Sequence, residues 1–212
     1  MAKDFVQAAK QFQKAIDYQG LPEFDKYMLS ILLANLGLAN WLQGYFDEAY
    51  TVLERGLKDR ENMFQNHKAG RLFHALGNVR ADRSLIEESE SYHQRALASY
   101  QAAIGNNHHR TADVYHKVAQ LCLRCGEHKK ALFLVDQALK VWGTEKGAYL
   151  PEISRTSFLE AKILFCLGGE QSALAHFKQA TAGFETLVPR EQKEYRDLEE
   201  VDFDALVTFR SK

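Results

Sequence analysis

Apolar and small residues recur along this chain with the i, i+3, i+4, i+7 spacing of one face of an α-helix. One such face carries Leu33, Leu36 and Gly37, and the next carries Ala49 and Leu53. Only three prolines occur in the whole sequence, so long stretches can be helical without an interior break. The pattern predicts an all-α protein built from consecutive amphipathic helices.

The small residues themselves recur at a nearly constant period. Gly37, Gly77, Ala119 and Ala161 follow one another at steps of 40, 42 and 42 residues, and small residues also lie seven, twelve and nineteen positions after each of them. A small residue lets two helix backbones approach closely, because a larger side chain would hold them apart. Such a period indicates stacked helix–turn–helix units, which provide a surface for binding another molecule rather than a catalytic pocket.

Gly44 and Gly126 lie where the first helix of a unit is expected to end. That position favours a residue with a left-handed backbone, which glycine adopts without steric cost. Ser84 takes the place of the glycine in the second unit. We therefore expect the turn at Ser84 to be the least ideal of the set.

These units resemble tetratricopeptide repeats (TPR). In that family the first helix (helix A) carries a bulky residue, Leu and Gly or Ala, the turn carries Gly, and the second helix (helix B) carries two Ala around an aromatic or aliphatic residue. In the first unit of this chain the same slots read Leu33, Leu36, Gly37, Gly44, Phe46, Ala49, Leu53 and Gly56. The resemblance covers about residues 28–187 and implies an all-α, right-handed TPR solenoid of antiparallel helix pairs.

The 42-residue step is longer than the usual 34 of the family. The extra length follows helix B, and residues 92–105 are similar to the long-repeat subclass typified by kinesin light chains. That subclass also forms the carboxy-terminal arrays of many nucleotide-binding signalling proteins of the NB-ARC (STAND) type. The resemblance thus implies an adaptor or sensor array, which can be the ligand-reading end of such a protein.

The repeat also predicts how the chain is divided. We expect an array over residues 28–190, made of four units at about 30–69, 70–111, 112–153 and 154–190. Residues 1–27 are expected to form a half-repeat helix and a linker, either as the cut end of a longer array or as a native cap. Residues 191–212 are expected to form a capping helix and a tail.

The resemblance implies a concave groove lined by the A helices. Side chains at or beside the family's groove-facing positions are Trp41, Arg71, His74, Asn78, His116, Lys117, Gln120, Arg124, Arg155, Phe158 and Lys162. Amide side chains can hydrogen-bond a peptide backbone, and cations can bind carboxylates. We therefore predict a protein or peptide ligand with acidic character and a large apolar anchor. The alternative is that some of these residues, Trp41 above all, are covered and belong to the core.

Lys117, Arg71 and Asn78 are similar to parts of the carboxylate clamp of chaperone-binding TPR domains, but the whole set is not matched.

The overall charge gives a further constraint, since Lys plus Arg (27) nearly equals Asp plus Glu (28). This balance argues against a nucleic-acid or anionic-membrane partner. No apolar run approaches the roughly 20 residues of a membrane span, the first residues lack a signal-peptide core, and three cysteines fit a reducing interior. We expect a cytoplasmic protein.

Cys122, Cys125 and His128 superficially resemble half of a zinc site. Structural zinc takes four ligands from two such halves, and no second Cys-x-x-Cys occurs in the sequence. No phosphate-binding glycine loop, dinucleotide fingerprint or nucleophile elbow is present either. We therefore expect no catalysis, no cofactor and no metal. Two alternatives to the adaptor stay open: self-association through the terminal repeats, and a small metal- or thiol-dependent enzyme built on these three residues.

Overall fold

The structure is a computed structural model that describes residues 2–18, 26–58, 67–188 and 198–207. Among these residues no β-strand occurs, and the predicted all-α class is confirmed. A short 3-10 turn lies at Gly143–Glu145. The α-helices, in chain order, are α1 (Ala2–Asp17), α2 (Lys26–Leu42), α3 (Phe46–Lys58), α4 (His67–Asp82), α5 (Ile86–Ile104), α6 (His109–Arg124), α7 (His128–Trp142), α8 (Leu150–Cys166), α9 (Glu170–Leu187) and α10 (Glu200–Leu206).

The helices form two compact units, Met1–Ile104 and Gly105–Lys212. In the first unit α2 packs against α3 and α4 against α5, while α1 lies on α2. In the second unit α6 packs against α7 and α8 against α9, while α10 lies mainly on α8 and also touches α9. We refer to α2, α4, α6 and α8 as A helices and to α3, α5, α7 and α9 as B helices. None of the described helices is long and apolar enough to cross a membrane.

Each A helix is joined to its B helix by a short turn that contains a left-handed residue. Gly44, Gly126 and Gly168 have φ values of 83°, 78° and 81°, and Ser84 takes the same place with φ of 60°. A non-glycine residue in this region costs about 1–2 kcal/mol, because its Cβ crowds the following carbonyl. The expectation that Ser84 forms the least ideal turn is thus confirmed.

The recurring small residues lie where an A helix and a B helix are in closest contact. A Cβ added to Gly77 on α4 would lie 2.6 Å from Cε1 of His93 on α5, well inside van der Waals contact. Gly37 on α2 faces Leu53 on α3 in the same way. The small residues that recur in the sequence therefore mark positions where a side chain of the B helix packs directly against the backbone of the A helix.

The two terminal helices each cover one face of an A helix with apolar side chains. On α1, Ile16 is 2% exposed and packs with Leu33 and Leu36 of α2, joined by the half-buried Phe12. On α10, Phe203 is fully buried. It belongs to a cluster of buried residues with Phe158, Ala180, Phe184 and Leu198.

Candidate binding faces on the A helices

In the first unit, the predicted binding residues lie on α2 and α4 and link these two helices. The indole Nε1 of Trp41 donates a 2.7 Å hydrogen bond to Oδ2 of Asp82. Nη2 of Arg71 donates to the side-chain carbonyl of Asn35. Trp41 and Asp82 are separated by about one repeat in the sequence, so equivalent ends of neighbouring A helices meet here. Both bonds fix polar side chains across the face formed by α2 and α4.

His74 and Asn78 belong to the same predicted set but lie deeper. They are 7% and 3% exposed. The ring of His74 meets that of His93 on α5 edge to face, with centroids 5.3 Å apart. The ring of His93 itself occupies the space left by Gly77. Their positions within the repeat predicted that His74 and Asn78 face a ligand. In the structure, both side chains are instead buried by neighbouring parts of the fold.

In the second unit, three of the seven predicted residues are buried. His116 is 0%, Arg155 is 1% and Phe158 is 9% exposed. Nδ1 of His116 on α6 lies 2.9 Å from Oγ1 of Thr156 on α8, so the two A helices are bonded through the interior. A partner could reach His116 only if these helices separated. Lys117 and Gln120 are half-buried, and Arg124 and Lys162 are exposed.

Helix α10 brings most of these residues together around its carboxylates. Nε2 of Gln120 on α6 donates a 2.7 Å hydrogen bond to Oε1 of Glu200. Nζ of Lys162 on α8 is bonded to the other carboxylate oxygen of Glu200. Nζ of Lys117 in turn donates to Oε1 of Gln120 at 3.1 Å. A single carboxylate therefore bridges two A helices.

The next turn of α10 supplies a second charge and an apolar anchor. Oδ1 of Asp204 lies 3.7 Å from Nη1 of the buried Arg155. The ring of Phe203 stacks on that of Phe158, with centroids 4.5 Å apart, and meets Phe184 edge to face at 5.4 Å. Five of the seven predicted residues in this unit thus lie in the arrangement around α10 described above, and the other two are His116 and Arg124.

The electrostatics of this face favour carboxylates. Burial by itself would raise the pKa of Glu200, but the hydrogen bond and charge of Lys162, the hydrogen bond of Gln120 and the charge of Lys117 lower it overall. Burial lowers the pKa of Arg155, and nearby carboxylates, Asp204 first, partly offset this effect. A guanidinium stays charged in proteins, so its burial has to be compensated by anions.

Sequence reasoning missed the residues that complete the face. Glu200, Phe203 and Asp204 were not among the predicted binding residues, and residues 191–212 were expected to form only a capping helix and a tail. A signal was present, because this segment carries the chemistry that the predicted ligand was expected to have. What sequence could not supply was its position on α8.

The three cysteines differ in their exposure to solvent. Cys122 is buried, and Cys125 and Cys166 are exposed. Within the described ranges, no group of three or more His, Cys, Asp or Glu side chains is arranged to hold a metal ion. The alternative of an enzyme built on Cys122, Cys125 and His128 thus gains no geometric support from these residues.

Comparison with known proteins identifies the repeat in the middle of the chain. Residues 68–142 match the family model of the tetratricopeptide repeat, which corresponds to α4–α7. No curated protein sequence matches the chain significantly. The repeat family is therefore supported over this segment of the chain.

Several solved structures share the fold. The match to BtubC (BKLC) from P. vanneervenii has a TM-score of 0.76 at 20% identity and covers 92% of this chain and 79% of that one. For Bacillus thuringiensis PlcR in complex with the peptide PapR7 and DNA, the TM-score is 0.73 at 14% identity, over 97% and 69% of the two chains. A putative kinesin light chain of Podosopora anserina with TPR-like repeats matches with a TM-score of 0.66 at 14% identity, over 86% and 87%. Likenesses at such identities show the fold alone, that of a TPR-like helical solenoid.

Proposed function

We propose that this chain is a protein–protein interaction module that binds an acidic peptide or protein segment on its A-helix faces. The observation that carries the proposal is the face of α6 and α8 in the second unit. There Lys117, Gln120 and Lys162 surround Glu200, next to the buried Phe158. This combination of cations, an amide and an aromatic ring is complementary to a ligand with carboxylates and a large apolar anchor.

The comparisons support the proposal at the level of the fold. TPR-type repeats generally serve as non-enzymatic interaction scaffolds, and the similar PlcR structure contains a bound peptide. For this chain, the ligand and the adaptor role belong to the proposal. So do the long kinesin-light-chain-like subclass, the link to an NB-ARC-type signalling protein and the cytoplasmic location.

The first unit offers a second face of similar chemistry. Trp41 and Arg71 link α2 to α4 through Asp82 and Asn35. This face thus carries an aromatic ring, a cation and an amide group. We include this face in the proposal as a separate site of the first unit.

The proposal is tested with immobilised short peptides in which a Phe is flanked by Glu and Asp, beside the same peptides with Lys in place of the acids. The acidic set should retain the chain, and Lys117→Ala with Lys162→Ala should weaken retention at least about tenfold, since each charge-assisted bond contributes about 1–3 kcal/mol. Lys178→Ala, on the exposed surface of α9, is the matched control. Equal retention of both peptide sets would refute the proposal.

Self-association remains the second candidate, and one observation favours it. Phe165 and Leu174, 65% and 53% exposed, line a groove of about 630 Å³ formed by α8 and α9. Exposed apolar groups of this size are common at protein contacts. Sedimentation over a range of concentrations distinguishes the candidates, because a self-associating chain gains mass as concentration rises and the adaptor keeps one mass.

A further inference from the structure

Helix α10 meets the second unit through one face only. Glu200, Phe203 and Asp204 have the i, i+3, i+4 spacing that places side chains on one side of a helix. All three contact residues of α6, α8 or α9. Val201, on another side of the helix, is 67% exposed. The contacts between α10 and the rest of the unit are thus made by a few side chains on one face of this helix.

The acidic residues of α10 divide into two groups with different roles. Glu199 and Asp202 form a capping box that closes the helix's own amino-terminal end, and the backbone N–H of Glu199 donates to Oδ2 of Asp202 at 2.8 Å. Glu200 and Asp204 instead bond to Gln120, Lys162 and Arg155 of the unit. Glu200 and Asp204 therefore match polar groups of α6 and α8, in addition to the apolar contacts made by Phe203.

We propose that α10 is a ligand bound in cis, and that the site it occupies binds a partner segment with the same Leu-x-Glu-x-x-Phe-Asp motif (the α10 motif, residues 198–204), helical from the position of Glu200 onward as in α10. This inference rests on the proposed function and specifies its ligand. Leu198, 7% exposed, supplies the first position and lines the groove of about 630 Å³ beside Phe158 and Phe177. The site on α6, α8 and α9 is thus blocked until a partner displaces α10.

Displacement is physically accessible because α10 is short. It has 7 residues, whereas isolated helices below about 12–15 residues are marginal in water. Its helical state therefore depends on docking. A longer partner helix with the same motif would be better preformed and would lose less conformational freedom on binding.

Competition in cis has a measurable consequence. A segment joined to its site by a short stretch of chain has an effective concentration on the order of millimolar, which a free peptide must overcome. The apparent affinity for the free peptide falls by the fraction of molecules in which the site is open. Releasing α10 should therefore strengthen binding of a peptide added in trans.

The test uses the full chain and a fluorescein-labelled peptide with the sequence of residues 198–207. Phe203→Ala in the chain removes the anchor of α10 but leaves the site intact, so the peptide should bind at least about tenfold more tightly than to the unsubstituted chain. Val201→Ala, in the same helix but exposed, is the matched control and should bind like the unsubstituted chain. A peptide with Ala in place of its Phe should bind at least tenfold more weakly than the original.

Each result of this titration has a defined meaning. Tighter binding to Phe203→Ala, lost again when Lys162→Ala is added, supports the inference. Equal binding to the Phe203→Ala and unsubstituted chains overturns it, while the proposed function stands because the peptide still binds. If the peptide binds to neither chain, the site that α10 occupies is not a ligand site.

A second variant protects the test against misfolding. If Phe203→Ala loses helical circular dichroism beyond the loss of α10, Glu200→Gln with Asp204→Asn replaces it. This double variant keeps the size of both side chains and removes only the charges that face Lys162 and Arg155. Like Phe203→Ala, this double variant should bind the peptide more tightly than the unsubstituted chain does. If α10 is shown to be undocked and the peptide affinity is unchanged, the inference is overturned.

Discussion

The carboxylate of Asp204 on α10 lies against the guanidinium of Arg155 on α8, with 3.7 Å between Oδ1 and Nη1. The Arg155 side chain is 1% exposed and that of Asp204 is 33% exposed. The cation is therefore interior, while its partner is at the edge of the site. This pairing couples the docking of α10 to the electrostatic balance of the second unit.

Replacing Asp204 by Asn should lower the free energy of unfolding by about 1–2 kcal/mol. Breaking a fully buried ion pair costs about 3–5 kcal/mol, but here Asp113 and Glu152 also act favourably on Arg155 and reduce the loss. Urea unfolding at pH 7 measures the change. The control is Asp136→Asn, which removes an exposed pair with Lys140 and should cost less than about 0.5 kcal/mol. Equal effects of the two substitutions would contradict this account of Arg155.

Replacing Ser84 by Gly should stabilise the chain by about 1 kcal/mol. The reason is that Ser84 has φ of 60°, a left-handed conformation that costs an L-residue about 1–2 kcal/mol and glycine almost nothing. Thermal and urea unfolding both report the gain. Ser91→Gly, the same change at an exposed position inside α5, should instead destabilise the chain by about 0.5 kcal/mol. Stabilisation of the same size at both positions would disprove the backbone explanation.

Replacing Gly77 by Ala should destabilise the chain by about 1–3 kcal/mol, the usual cost of overpacking a well-filled core. The new methyl group would lie 2.6 Å from Cε1 of the buried His93, so the ring of His93 would have to move or α4 and α5 to separate. Adding His93→Ala should recover part of the loss, because the clash disappears. Gly143→Ala is the control, since nothing lies within 4 Å of its added methyl group. A neutral Gly77→Ala would contradict the close packing of Gly77 against His93.

Stability should depend on pH through His109 at the start of α6. Burial, then the nearby His108 and Arg110, lower the pKa of His109 to about 4, compared with about 6.5 for an unfolded histidine. The neutral ring therefore stabilises the fold fully above pH 6.5, and this contribution is lost as pH falls from 6.5 towards 4. Because the ring is partly solvent-exposed, we expect a loss of only about 1 kcal/mol between pH 7 and 5, which His109→Gln should abolish. NMR titration of the His109 ring gives the pKa directly, and a midpoint above 6 would refute this prediction.

The sequence predicted the elements of the fold well because their causes are local. The spacing of Leu33, Leu36 and Gly37 reports one helix face, and the position of Ser84 reports a turn. The recurrence of Gly77 reports a close helix contact even without knowledge of His93. Each of these signals can be read from short segments or from their recurrence at the repeat period.

The candidate site was harder to predict because burial depends on residues far apart in the chain. His116 is enclosed through a bond to Thr156, 40 residues away, and Gln120 meets Glu200 across 80 residues. The 40-residue separation equals about one repeat, but Glu200 lies outside the four predicted units, so the repeat pattern does not encode its contact with Gln120. The repeat pattern therefore pointed to side chains of α6 and α8, several of which α10 contacts, but it did not predict that α10 would cover them.

The central claim is that the A-helix face of the second unit binds the α10 motif reversibly. The most direct measurement is an NMR titration of the ¹⁵N-labelled, unsubstituted chain with an excess of unlabelled peptide of residues 198–207. We predict that the amide signals of Glu200–Leu206 move towards their unfolded positions, while those of α8 stay in their folded positions. Signals of α10 that remain unchanged at saturating peptide, with shifts confined to other helices, would contradict the claim.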